Sequence, residues 1–184
     1  MSTKLVTGIV RLSYVNIWEP KRPANNPDAK PKYSCSIIIP KSDKATINAI
    51  NKAIDEAIQD GIGKFGGKIP NKATLKLPLR DGDIDREGDP AYANSYFVNA
   101  SANEDHPPKV VDKRVQPILD HAELYSGVYA KVVLNFFAFN QQGNRGVACG
   151  LGNVQKIRDG EPLGSVSNPA SEFSVEDEDD DLGL

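Results

Sequence analysis

One helical period stands alone in a chain of otherwise alternating segments, and it limits the fold more than any other feature. Ile47, Ile50, Ile54 and Ile58 recur at steps of three, four and four, which sets four isoleucines on one helix face. Ser42 or Asp43 supplies the N-cap, and Gly61 and Gly63 stop the run. The other apolar stretches favour β-branched and aromatic residues at a period of two, which is the strand signal. Residues 4–18 (KLVTGIVRLSYVNIW) read as one long strand, and residues 33–39 (YSCSIII) as a second, closed by Pro40. Further strands are read at 96–100, at Val110 and Val111, and at 128–139 (VYAKVVLNFFAF), the strongest of all. The sequence QQGN at 141–144 turns that strand into 146–151 as a hairpin, and 154–157 continues the line. Strands and helices do not alternate, which disfavours a parallel α/β fold. The expectation is a mainly β chain, an OB-like small β-barrel with one clear α-helix.

Between the first two strands, Pro20, Pro23, Pro27 and Pro31 interrupt the chain at a spacing that no strand or helix survives. This segment is an exposed loop. At 184 residues the chain has room for one ordinary domain, read as residues 1–158. From residue 159 onward Gly, Ser, Pro and acids dominate, and residues 159–184 are expected to form a flexible acidic C-terminal tail. The charge is divided accordingly. Seven acids and no base fall in residues 172–184, leaving 22 bases against 18 acids, a net of +4, for the rest. Residues 1–44 alone carry eight bases against three acids. Acidic blocks of this kind act as interaction tails, so Glu176, Asp177, Glu178, Asp179, Asp180, Asp181, Leu182 and Leu184 are the candidate partner-binding residues.

No apolar run approaches the roughly 20 residues of a membrane helix, and no secretory signal opens the chain. Two cysteines make no disulfide framework. The expected compartment is a reducing cytoplasm, without membrane partners.

Several motifs look chemical and read better as structure. Gly61 to Gly66 match a dinucleotide-binding glycine pattern literally, yet they follow the helix instead of opening one. Asp81, Asp83, Asp85 and Asp89 could hold Mg²⁺ in a metal-dependent nuclease, but Arg86 and Tyr92 stand where a calcium loop needs Gly and Glu. The bland reading is a polar turn with capping acids. His106 and His121 do not pair with Cys35 and Cys149 at zinc-site spacing. Neither a catalytic residue nor a metal or other cofactor is expected. A better signal is aromatic and basic residues together. Tyr14 and Trp18 flank the end of the first strand, Lys21 and Arg22 open the Pro-rich loop, and Lys30, Lys32 and Tyr33 close it. Single-stranded nucleic acid is held by a basic groove for phosphates and by rings for bases. The competing reading places the rings in the core and lets the lysines merely solvate the loop.

The runs KYSCSIIIPKSD at 32–43, LRDGD at 79–83, DPAY at 89–92, SYFVNA at 95–100, YSGVY at 125–129 and GVACGLGNVQKIRDGEPLG at 146–164 resemble the phage-encoded single-stranded-DNA-binding proteins. The resemblance spans roughly residues 4–165. It implies an OB-type fold, no catalysis, and binding and protection of single-stranded DNA during phage replication and recombination in the bacterial host cytoplasm. The tail would compete with DNA and recruit phage or host replication proteins. A homodimer is left open. Chemistry nominates Arg11, Lys21, Arg22, Lys30, Lys32, Arg80, Lys113 and Arg114 for phosphates, and Tyr14, Trp18, Tyr33 and Tyr92 for stacking. Arg80 and Tyr92 gain weight from lying in matching runs. A protein-interaction adaptor acting through the tail is the remaining alternative.

Overall fold

A computed structural model describes residues 3–163, apart from Ala24 and Pro27. Eight strands and two helices follow in chain order: β1 (Lys4–Val6), β2 (Val10–Lys21), β3 (Lys32–Pro40), α1 (Lys44–Asp60), β4 (Leu79–Asp81), α2 (Gly82–Asp85), β5 (Ser95–Asn103), β6 (Val110–Val111), β7 (Tyr129–Gln141) and β8 (Asn144–Arg158). The sheet closes on itself. β2 pairs β3, β3 pairs β5, β5 meets β8, β8 pairs β7, and β7 returns to β2. Only the β5–β8 step is parallel, joined at Ser101 and Gly150. A closed five-stranded barrel of this order is the OB arrangement.

Alternation fills the barrel. Leu12, Ile37, Ile39, Val98, Val128, Val132 and Leu134 are wholly buried in one cluster. Helix α1 adds Ile50, Ala53, Ile54, Ala57 and Ile58 to it and packs against β1, β7 and β8. The Asp43 carboxylate caps this helix, accepting from the Thr46 amide at 3.2 Å and the Thr46 hydroxyl at 2.7 Å. Gly61 ends it. The hairpin between β7 and β8 forms at the expected place, with Gln142 (φ 54°) and Gly143 (φ 85°) both left-handed, as a type I′ turn requires.

Three expectations change. The first long strand is two strands, because Gly8 interrupts it. Its amide donates to the Thr46 hydroxyl at 2.9 Å, and a Cβ there would stand 2.7 Å from the Asp43 carboxylate. The start of α1 occupies the space a straight strand would need. The second change concerns residues 159–163, expected in the tail, which are tied to the body. Asp159 pairs with Lys156 at 2.7 Å and takes a hydrogen bond from the Tyr125 hydroxyl at 3.1 Å. Leu163 packs beside Ile38, Tyr92 and Phe97. Third, β4, α2 and four short 3₁₀ turns occupy stretches read as turn-rich or as plain connections. The acidic residues from Glu172 to Asp181, together with Leu182 and Leu184, lie outside the described residues. No helix among the described residues is long and apolar enough to cross a membrane.

Both cysteines are core residues. Burial pushes each thiol up to about 12, for Cys35 against a smaller opposing effect from its hydrogen bond to the Ser13 carbonyl. Thiolates, not thiols, react. A thiol-specific disulfide reagent at pH 8 is therefore expected to titrate neither cysteine in the folded protein and both after denaturation. Prompt labelling of either in the native protein would contradict this packing.

Candidate nucleic-acid interface

The outer face of β2, β3 and β5 is built from small polar residues, because β3 sends Cys35, Ile37 and Ile39 inward and leaves Ser34 and Ser36 outside. Ser34 stands opposite Ser101 and Ser36 opposite Asn99 on β5. On β2 the register shifts between Ser13 and Asn16, and within that bulge Tyr14 adopts φ 48°. Bulges re-aim side chains. Here the result is a Tyr14 ring 58% exposed on the polar face, while Asn16 reaches the Tyr14 carbonyl at 3.2 Å and the Ser34 hydroxyl at 3.4 Å.

Three hollows join along this face. One of about 360 Å³ lies between Tyr14, Arg86, Ser36 and Asn99. The next, about 530 Å³, runs under the Pro-rich loop between Asn16, Lys21, Arg22, Lys30 and Lys32. A third, about 740 Å³, continues past Lys32 to Asn135, Phe137, Pro108 and Lys4. Ser101 lines all three, so they form one groove. Arg86, Lys21, Arg22, Lys30, Lys32 and Lys4 line it, and no carboxylate does among the described residues. Asp105 stands outside the lining. Its carboxyl is held below the usual range by a hydrogen bond with His106, with a smaller contribution from the charge of Lys30. Lys21 and Lys32 face one another across β2 and β3. Like charges directly opposite repel one another in a sheet.

Of the candidate phosphate contacts, then, Lys21, Arg22, Lys30 and Lys32 come together in the groove. The others do not. Arg11 spends its donors on the carbonyls of Gly127 (3.2 Å) and Glu161 (2.6 Å) and lies over the Tyr129 ring. Arg80 lies 3.8 Å from Asp85, outside the groove lining. Lys113 lines a separate hollow of about 620 Å³, and the Arg114 amide closes a turn onto Asp112 at 2.9 Å.

The four candidate rings part company in the same way. Tyr14 is in the groove. Tyr92 is 1% exposed, donates its hydroxyl to Ser36 at 2.9 Å and meets Phe97 edge-on, so it packs in the core and offers no face to a base. Trp18 lies flat against His121 at 4.2 Å, donates its indole N–H to the His121 carbonyl at 2.8 Å and packs on the core. Tyr33 shares the inward parity of Cys35 and is half-buried.

Phe137, Arg86 and Lys4 line the groove but were not nominated from the sequence. Phe137, 47% exposed, stands on the outer face of β7 beside Gly150. Its signal was present, since Phe136 and Phe137 are adjacent on a strand and must face opposite ways. Arg86 follows α2, with its guanidinium 5.6 Å from the Tyr14 ring, 5.5 Å from Tyr92 and 5.4 Å from Phe97.

The acidic cluster is structural. Lys41 lies 2.9 Å from Asp81 and 2.8 Å from Asp83, and the hydrogen bonds its ammonium donates to Asp83 and then to Asp81 raise its pKa. Asp83 is held low by Lys41 and by the Asn94 amide. Asp81 and Asp89 cap α2 and the turn at residues 90–92. Among the described residues no cluster of potential ligands is placed to hold a metal.

A family model described as the single-stranded-DNA-binding protein of Enterobacter phage Enc34 matches residues 3–183. The chain belongs to that family. The fold agrees across its length. The solved structure of the bacteriophage Enc34 single-stranded-DNA-binding protein in complex with single-stranded DNA superposes with a TM-score of 0.76 at 22% identity, covering 88% of this chain and 90% of that one. A second solved structure of the bacteriophage Enc34 single-stranded-DNA-binding protein gives 0.71 at 21% identity, covering 92% and 89%. The single-stranded-DNA-binding protein gp2.5 of bacteriophage T7 gives 0.62 at 16% identity, covering 93% and 94%. No curated protein matches the sequence.

Proposed function

We propose that the protein binds and protects single-stranded DNA with little overall sequence preference during phage DNA replication and recombination, acting by occupancy and not by catalysis. The observation that carries this is the groove: among the described residues, six cations and no carboxylate line one continuous channel over the barrel face, with exposed rings at Tyr14 and Phe137. In the OB fold the ligand lies on the face of the second and third barrel strands, beside the loop that joins the first two. Here those are β3, β5 and the Pro-rich loop. Phosphates pair with Lys21, Arg22, Lys30 and Lys32, and bases turn inward onto the rings. From Tyr14 on β2 to Lys4 on β1 the groove crosses β3, β5, β8 and β7. At about 4.7–4.9 Å per strand step this is roughly 24 Å, near the lower end of the ~4–16 nucleotides an OB fold occupies.

The body ending at Arg158, with residues 159–163 laid over it, carries the DNA. The acidic residues beyond compete for the groove and recruit replication proteins of phage or host. A titration of labelled single-stranded and duplex oligonucleotides at two salt concentrations, with and without Mg²⁺, tests this. Single strands are expected to bind more tightly than duplex, because stacking needs unpaired bases. Each neutralised phosphate adds about −0.7 to the slope of log affinity against log salt. Equal affinity for duplex, a flat salt response, or Mg²⁺-dependent cleavage would each overturn the reading.

A further inference from the structure

We propose that the hollow beside Arg86 reads one base of the bound strand and selects guanine there. This rests on the single-strand binding proposed above and adds a preference at one position of an otherwise tolerant groove. Arg86 differs from the other cations of the groove. Its Nε is buried without a hydrogen-bond partner among the described residues, although Asp85, Glu87 and Asp89 are close by in sequence. Instead, its guanidinium sits against the rings of Tyr14, Tyr92 and Phe97 at 5.6, 5.5 and 5.4 Å. These three rings hold the guanidinium at the wall of the hollow. A buried donor that no protein acceptor reaches is costly, and such a group calls for an explanation in what it binds.

The hollow's other walls narrow the ligand. Its volume of about 360 Å³ suits a base with its sugar, and Ser34, Ser36, Asn99 and Ser101 face it. Ser36 already accepts from the Tyr92 hydroxyl at 2.9 Å, so its own proton is left to donate. Arg86 only donates. The edge that fits must present two acceptors side by side. Guanine has O6 and N7 for an arginine fork, and cytosine in an unpaired strand has N3 and O2. The larger guanine ring system stacks more fully on the exposed Tyr14 ring. Adenine sets a donor beside N7, and thymine separates its carbonyls with an N–H. The exposed Tyr14 ring at the mouth favours a base over a bare phosphate, since it adds a stacking surface.

The test uses the full chain and an oligothymidylate just long enough for one molecule, with one central position varied. A single dG is expected to tighten binding about 5-fold or more over dT, dA or dC at that position, the scale of one good bidentate contact. Replacing that dG by 7-deazaguanine, which lacks N7, is expected to remove most of the gain in the unmodified protein. This arm needs no mutant to fold. Arg86→Lys keeps the charge and loses the fork, so oligomers with dG and dT should then bind alike. Equal affinity of the unmodified protein for dG and dT oligomers, or no loss with 7-deazaguanine, would overturn the inference while leaving single-strand binding intact. Absence of salt-dependent binding to every oligomer would overturn both.

Discussion

Replacing Tyr14 or Phe137 by Ala is expected to weaken single-strand binding by ~1–3 kcal/mol each, about 5- to 150-fold, with the salt slope almost unchanged. The two rings stand at opposite ends of the groove, one on β2 and one on β7. They share no partner, so the double variant should lose close to the sum. Both side chains are about half exposed, so neither truncation opens a core cavity, and thermal stability should move little. Lys32→Ala should do the reverse, lowering the salt slope by under one unit, as for one lost phosphate contact. Trp18→Ala is the control that separates rings in the groove from rings in the body. Trp18 is held by His121 through stacking and a 2.8 Å hydrogen bond, so its loss should cost stability more than affinity. Wild-type affinity in the Tyr14→Ala, Phe137→Ala double variant would remove stacking from the mechanism. Fluorescence anisotropy at two salt concentrations, with a melting curve for each variant, reads all of these outcomes.

The pattern of success in the sequence reading follows the range of the interactions involved. The helix was legible because its signal is local: four isoleucines at a helical period and an Asp43 cap three residues from Thr46. The hairpin at Gln142 and Gly143 was legible for the same reason. Barrel closure was less so, since the β5–β8 pairing joins Ser101 to Gly150 across a long stretch of chain and leaves no periodic trace. The break at Gly8 depends on α1 passing close by, which no strand pattern records. The basic half of the site was legible because Lys21, Arg22, Lys30 and Lys32 flank one loop. The aromatic half was legible only in part, since Tyr14 was named alongside three rings that the fold keeps out of the groove and Phe137 was not named. Alternation alone would not send Tyr14 to the polar face, and the bulge that does so is a feature of pairing with β3. Tyr92 looked as good as Tyr14, yet the residues that bury it, Ile38 and Phe97, come from two other strands. Arg86 entered the sequence reading only as a break in a calcium-loop pattern, and the three rings around it are brought together only by the fold.

Deleting residues 172–184 is expected to tighten single-strand binding several-fold at low salt, with the gain shrinking as salt rises, and to abolish binding of replication partners while leaving the fold intact. Seven carboxylates and no base fall in that segment, giving it the charge density of a short single strand. Its point of departure favours competition. Leu163 packs beside Ile38, Tyr92 and Phe97, and Tyr92 and Phe97 are two of the rings that hold Arg86. The chain therefore sets out next to one end of the groove. A flexible linker of thirteen residues spans roughly 20 Å, comparable with the groove itself. A tether of that kind gives an effective concentration in the millimolar range, and the contact it makes is an exposed electrostatic one that salt screens over about 10 Å at 0.1 M. DNA brings a continuous row of phosphates and bases that stack on Tyr14 and Phe137, which the tail cannot match, so DNA displaces it. On this proposal the released tail is presented to a partner only when the groove is filled, which would couple recruitment to occupancy. Titrations of the full and truncated chains across a salt series decide this. Unchanged or weaker DNA affinity in the truncated protein at low salt would show that the tail does not enter the groove, and partner capture that persists after truncation would place recruitment elsewhere on the body.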